Sequence, residues 1–100
     1  MSLDDHNAFY SILNKYIPES PSSGRRTKLL QKLSGYDERQ KREYYVRALE
    51  KAYEEFAGND TSLQYYKTDF MQQVSTKLRS KISVSINEVQ KTDIKEIIVD

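Results

Sequence analysis

A chain of 100 residues with 37% apolar and 31% charged side chains is the size of one domain, polar for its class but not disordered by composition. The net charge of +1 gives no global basic or acidic signature, and the lack of cysteine excludes disulfides and thiolate metal sites. No apolar run reaches the roughly 18 residues of a membrane span, and Met1 to Ile17 lacks the basic start and apolar middle of a secretory signal, so a cytoplasmic or nuclear protein without a membrane partner is expected. Met1-Ser2-Leu3 reads equally as a natural start or a cloning remnant; residues 1–100 are therefore read as a single helical domain or as a fragment of a longer protein.

Ser2 to Tyr16 has the pattern of a helix. Ser2, Asp4 and Asp5 favour its start through capping and the helix dipole, and Phe9, Ile12, Leu13 and Tyr16 form the apolar stripe. Pro18 ends it, because the residue before a proline is pushed away from helical angles. Glu19 to Gly24 is a loop by composition, and a phosphate on its serines would lie within reach of Arg25 and Arg26. Thr27 to Ser34 reads as a short helix with Leu29, Leu30 and Leu33 inward, stopped by Gly35.

Asp37 to Ala57 carries the strongest helix signal in the chain. Tyr45, Ala48, Leu49, Ala52, Tyr53 and Phe56 recur at spacings of three and four. Asp37 and Gln40 stand in capping-box positions, and Gly58 marks the stop. Glu38 with Arg42, Arg39 with Glu43, Glu43 with Arg47 and Lys51 with Glu55 are opposite charges one turn apart, each pair contributing a few tenths of a kcal/mol. After a tight connection at Asn59-Asp60, Thr61 and Gln64 repeat the capping-box spacing. A fourth helix follows with Leu63, Tyr66, Phe70, Val74 and Leu78 on one face and Met71 beside them. So short a connection makes the third and fourth helices antiparallel neighbours.

Beyond Lys81, two patterns overlap. Ile82, Val84 and Ile86 alternate as in a strand, whereas Leu78, Ile82, Ile86 and Val89 continue the helical stripe, so the tail 82–100 reads as extended or as a short helix. The expected fold is all-α: a small antiparallel bundle of about four helices with this C-terminal tail.

Little in the sequence suggests catalysis. The single histidine, His6, sits in a first turn near Asp4 and Asp5, and three consecutive residues on a helix cannot all face one metal ion. Ser34-Gly35 lacks the remaining glycine spacing of a nucleophile elbow, and three scattered glycines make no phosphate-cradling loop. Glu54 and Glu55 are adjacent on a helix and point about 100° apart, not at one substrate. Asn59-Asp60-Thr61 matches a glycosylation acceptor pattern but is better explained by capping. No enzyme and no cofactor are expected.

The charge distribution points instead to binding. Residues 25–47 and 63–81 are net basic, and 48–62 are net acidic. An antiparallel turn at Asn59 brings Arg39, Lys41 and Arg42 beside Lys77, Arg79 and Lys81, and the second helix adds Arg25, Arg26 and Lys28 to the same end. Glu50, Glu54, Glu55 and Asp60 collect at the other end, where the helix dipole disfavours Glu54 and Glu55. Of eight tyrosines, Tyr44 and one of Tyr65 and Tyr66 are expected at the surface, where Tyr beside Arg suits protein partners and stacked bases.

The leading expectation is a non-enzymatic protein-interaction or regulatory domain whose basic end contacts an acidic protein partner. A nucleic-acid-binding accessory domain using the same end is the alternative. Tyr66 to Phe70 followed by Thr92-Asp93-Ile94 resembles two short pieces of the arm domain of tyrosine recombinases, which lends the nucleic-acid alternative a small weight.

Overall fold

The computed structural model describes residues 3–18 and 23–80. The tail 82–100, Lys81 and residues 19–22 of the serine-rich loop lie outside the described residues. The elements in order are α1 (Leu3–Tyr16), α2 (Gly24–Leu33), α3 (Glu38–Ala57), α4 (Thr61–Tyr65) and α5 (Lys67–Arg79), and no strand occurs among the described residues. This is the all-α bundle expected. Helix α3 is its axis: α1 packs along one side of it and α5 along another, with α4 turning the chain between them.

The ends of α3 follow the local chemistry. Asp37 Oδ1 accepts from the Gln40 N–H at 2.8 Å while Gln40 Oε1 accepts from the Asp37 N–H at 3.0 Å, a complete capping box. At the other end Gly58 takes φ +51°, a conformation that a side chain opposes, and its N–H closes on the Glu54 carbonyl at 3.0 Å.

The start of α4 differs from the sequence expectation by one residue. Asp60, not Thr61, is the cap. Its Oδ1 accepts from the N–H groups of Ser62 at 2.9 Å and Leu63 at 3.2 Å, and Gln64 reaches back to the Gly58 carbonyl at 3.0 Å instead of to Thr61. A carboxylate is the stronger acceptor, and its charge suits a helix start.

The predicted fourth helix is two helices, joined at Tyr66 with φ −83° and ψ −1°. The Tyr53 hydroxyl donates to the Leu63 carbonyl at 2.8 Å, the acceptor that a continuous helix would give to the Lys67 N–H. This bond ties α4 to α3, and α5 begins at the next residue after the joint, Lys67.

The core draws on every long helix. Phe9 and Leu13 of α1, with Ile17 just past its end, meet Leu29 and Leu33 of α2, the α3 stripe, and Phe70, Val74 and Leu78 of α5. Phe9, Tyr53, Phe56 and Phe70 form one aromatic cluster; Tyr53 and Phe70 stack at 4.6 Å, and Phe9 meets Phe56 and Phe70 nearly edge-on at 5.7 Å each. Fully burying such a ring contributes about 1.5–3 kcal/mol.

Three apolar positions depart from the expected stripes. Leu30 is 47% exposed because Leu29 and Leu33, one turn apart, already fill the contact of a ten-residue helix. Tyr66, at the joint between α4 and α5, is 56% exposed. Ile17, fully buried, continues the Phe9–Leu13 row by one more turn, and its N–H still bonds the Leu13 carbonyl at 2.8 Å.

Candidate functional site

The α3–α5 pair brings Arg39, Arg42 and Arg79 together, as the charge pattern predicts. They line a groove of about 440 Å³ with Glu43, Val46, Arg47, Ser75 and Leu78. Arg47 belongs to this group at the position one turn beyond Glu43. Sequence reasoning paired Glu43 with both Arg39 and Arg47; the Arg47 pair is not present, and the Arg39 pair is, with Glu43 accepting from Arg39 Nε at 3.5 Å. That pair is well exposed and contributes at most about 1 kcal/mol. Arg42, Arg47 and Arg79 have no carboxylate within ion-pair distance among the described residues. The floor between them is apolar: half-buried Val46 is its accessible part, and Leu78, 1% exposed, is closed to a partner.

The other predicted cations lie elsewhere. Lys41 turns back to Glu38 at 3.5 Å. Lys77 lies with Asp69, Gln72 and Gln73 on another face of α5. Lys81 is outside the described residues. Arg25 donates to the Lys15 carbonyl and Arg26 to the Pro18 carbonyl, the latter at 3.3 Å, so both brace the end of α1, where helix carbonyls lack intrahelical partners. Lys28 shares a shallow hollow with Lys15, Arg25, Lys32 and Tyr44.

Tyr44 belongs to a second cleft, also of about 440 Å³, on the flank of α3 that faces α2. Tyr36 and Tyr44 meet there at 71° with centroids 6.5 Å apart, and Lys32 Nζ lies 5.2 Å from the Tyr44 centroid. Its hydroxyl reaches the Tyr16 carbonyl at 3.4 Å. Glu43 and Arg47 line both clefts and form the ridge between them.

The acidic end is held by cross-helix pairs, which corrects the expectation that Glu54 and Glu55 weaken the fold. Lys15 of α1 meets Glu55 at 3.3 Å, the Tyr16 hydroxyl donates to the same carboxylate, and Lys67 of α5 pairs with Glu54. The expected Lys51–Glu55 pair gives way to these. The Tyr16 hydrogen bond, then Lys15, holds the Glu55 carboxyl below its usual range, and the same bond raises the Tyr16 phenol. Glu54 raises the Lys67 ammonium. The adverse dipole position is thereby offset by tethers to both neighbouring helices.

Tyr65 and Tyr66 project at the α4–α5 joint, 79% and 56% exposed, with their rings edge-on at 5.4 Å. Among the described residues no group of three His, Cys, Asp or Glu could hold a metal ion; the side chains of Asp4, Asp5 and His6 are outside that description. No described helix is long and apolar enough to cross a membrane.

Chemically, the two clefts can bind anions. Guanidinium groups present flat forks of donors that match carboxylates and phosphates, and they stay charged at any physiological pH. Comparison with family models, with curated proteins and with solved structures gave no match.

Proposed function

We propose that this chain is a non-enzymatic interaction domain that docks an acidic segment of another protein in the α3–α5 groove. The observation that carries this reading is the placement of Arg42, Arg47 and Arg79, with no carboxylate partner among the described residues, around an apolar floor of Val46 and Leu78. The floor favours protein over nucleic acid. A phosphodiester backbone has nothing apolar to set against Val46. An amphipathic acidic helix offers both an apolar anchor and flanking carboxylates at spacings of three and four. Charge complementarity would then set the encounter rate and the register, and the anchor would supply most of the residence time.

The test is fluorescence anisotropy with three labelled probes at low and near-physiological salt: an acidic amphipathic peptide, the same peptide with its apolar anchors changed to alanine, and a mixed-sequence oligonucleotide in single- and double-stranded form. The proposal expects the first peptide to bind best and to lose about tenfold or more, roughly 1.4 kcal/mol, on Arg42→Glu combined with Arg79→Glu. It also expects Val46→Ser to weaken that peptide without changing its salt dependence. Oligonucleotide binding stronger than either peptide, falling steeply with salt, would replace this reading with nucleic-acid binding.

A further inference from the structure

We infer that the cleft on the α2-facing flank of α3 is a separate binding site for a small phosphate monoester bearing a planar ring, a ligand of the nucleoside monophosphate class. The site does not rest on the acidic-segment reading, because its stacking and charged groups apart from Glu43 and Arg47 lie outside the α3–α5 groove.

Helix α3 builds one wall. Gln40, Tyr44, Arg47 and Lys51 recur at spacings of three and four, so all four face the same side. Lys32 enters from the last turn of α2, and Tyr36 from the connection after it. Lys32, Arg47 and Lys51 have no carboxylate within ion-pair distance among the described residues. The one acid in the lining, Glu43, is engaged by Arg39 on the far side of the ridge. Three cations therefore converge on a cleft whose single carboxylate is already matched, which is the charge balance that a phosphate dianion needs.

The rings decide what the phosphate is attached to. Tyr36 and Tyr44 stand at 71° and make a corner of two half-buried aromatic surfaces. Lys32 already sits over Tyr44, so Tyr36 is the ring left to stack on a planar group. The Tyr36 hydroxyl has no hydrogen-bond partner among the described residues and stands ready for a ring nitrogen or exocyclic group. A volume of about 440 Å³ lies in the range of small-molecule sites, and inorganic phosphate alone would leave the tyrosine corner uncovered.

Isothermal titration of the full chain with adenosine monophosphate, adenosine and inorganic phosphate tests this. The expected result is saturable binding of the nucleotide at least about tenfold tighter than either fragment, since stacking and charge each contribute. Lys51→Glu should weaken the nucleotide about tenfold or more. Tyr36→Leu should reduce it to the level of phosphate. Arg42→Glu, which alters only the α3–α5 groove, should leave it unchanged. Lys51 is exposed, so its reversal spares the fold, which circular dichroism verifies; Lys32→Gln is the second cation variant. Equal affinity for nucleotide and phosphate, no saturation by the nucleotide at millimolar concentration, or equal loss on Arg42→Glu would each overturn the proposal.

Discussion

Phe9→Ala is the sharpest probe of how the bundle holds together. Phe9 is fully buried and touches rings from two other helices: Phe56 and Phe70 at 5.7 Å, and Tyr53 at 6.4 Å. Truncation removes the transfer free energy of the ring and leaves a cavity that three rigid neighbours cannot close, about 3–5 kcal/mol in comparable cores. The lost edge-to-face pairs, about 0.5–1.5 kcal/mol each beyond burial, push the cost toward the top of that range. A domain of this length has about 5–15 kcal/mol in total, so the variant should fold but sit close to its margin. At about 4–8 °C per kcal/mol, the melting temperature should fall by at least about 12 °C. Phe9→Leu, which keeps most of the volume, should cost about 1.5 kcal/mol or less. Urea unfolding followed by circular dichroism reads all three proteins. A cost below about 1 kcal/mol for alanine, or equal costs for alanine and leucine, would show that α1 does not share a core with α3 and α5.

Other expectations follow from the same geometry. Gly58→Ala should cost about 1 kcal/mol through the backbone alone, because φ is +51° and an added Cβ meets nothing closer than the Glu55 carbonyl at 3.9 Å. Its ψ of −122° lies outside the left-handed helical region, so Gly58→Asn should not recover the loss in thermal melts. Asp37→Ala should cost about 1 kcal/mol in urea unfolding, and more than Thr61→Ala, since Asp37 caps α3 and Thr61 caps nothing. The pH dependence should show Glu55. Its folded pKa lies below the ordinary 4.5, so its contribution is present above pH 4.5 and lost as pH falls through the folded value. Glu55→Gln should flatten that acid limb in stability measured from pH 7 downward; an unchanged limb would remove Glu55 as its source.

Much of this fold is written in local patterns. The α3 stripe, its capping box and the glycine at its end depend on residues within a turn or two of one another, and all appear in the structure as the spacings imply. What local pattern misses is competition from elsewhere in the chain. The break at Tyr66 is fixed by the Tyr53 hydroxyl, ten residues from the carbonyl that it takes. Leu30 has the periodicity of a core residue, but in a ten-residue helix Leu29 and Leu33 already fill the buried stripe. Glu55 prefers Lys15 and Tyr16, some forty residues away, to the nearby Lys51. The candidate site divides along the same line. Arg39, Arg42 and Arg79 could be placed by one antiparallel turn, whereas Arg25 and Arg26 serve the end of α1, a role visible only once α1 and α2 are seen side by side. Arg47 could have been found by extending the arginine row of α3 by one turn.

The long reach of α1 also orders events in time. Helices α3, α4 and α5 are consecutive, and the contacts nearest their connection, such as Tyr53 with Leu63, close loops of about ten residues. Lys15 and Glu55 are 40 residues apart, so docking α1 pays a larger closure entropy before any contact rewards it. The hairpin is therefore expected to assemble first, with α1 docking on it afterwards; φ-values near zero for α1 substitutions would bear this out, and values near one would refute it. Interactions formed after the rate-limiting step leave the folding rate almost untouched and act on the rate of escape. On that order of events α1 would act as a latch: substitutions at Phe9, Lys15 and Tyr16 are expected to change how long a folded molecule stays folded more than how quickly it gets there.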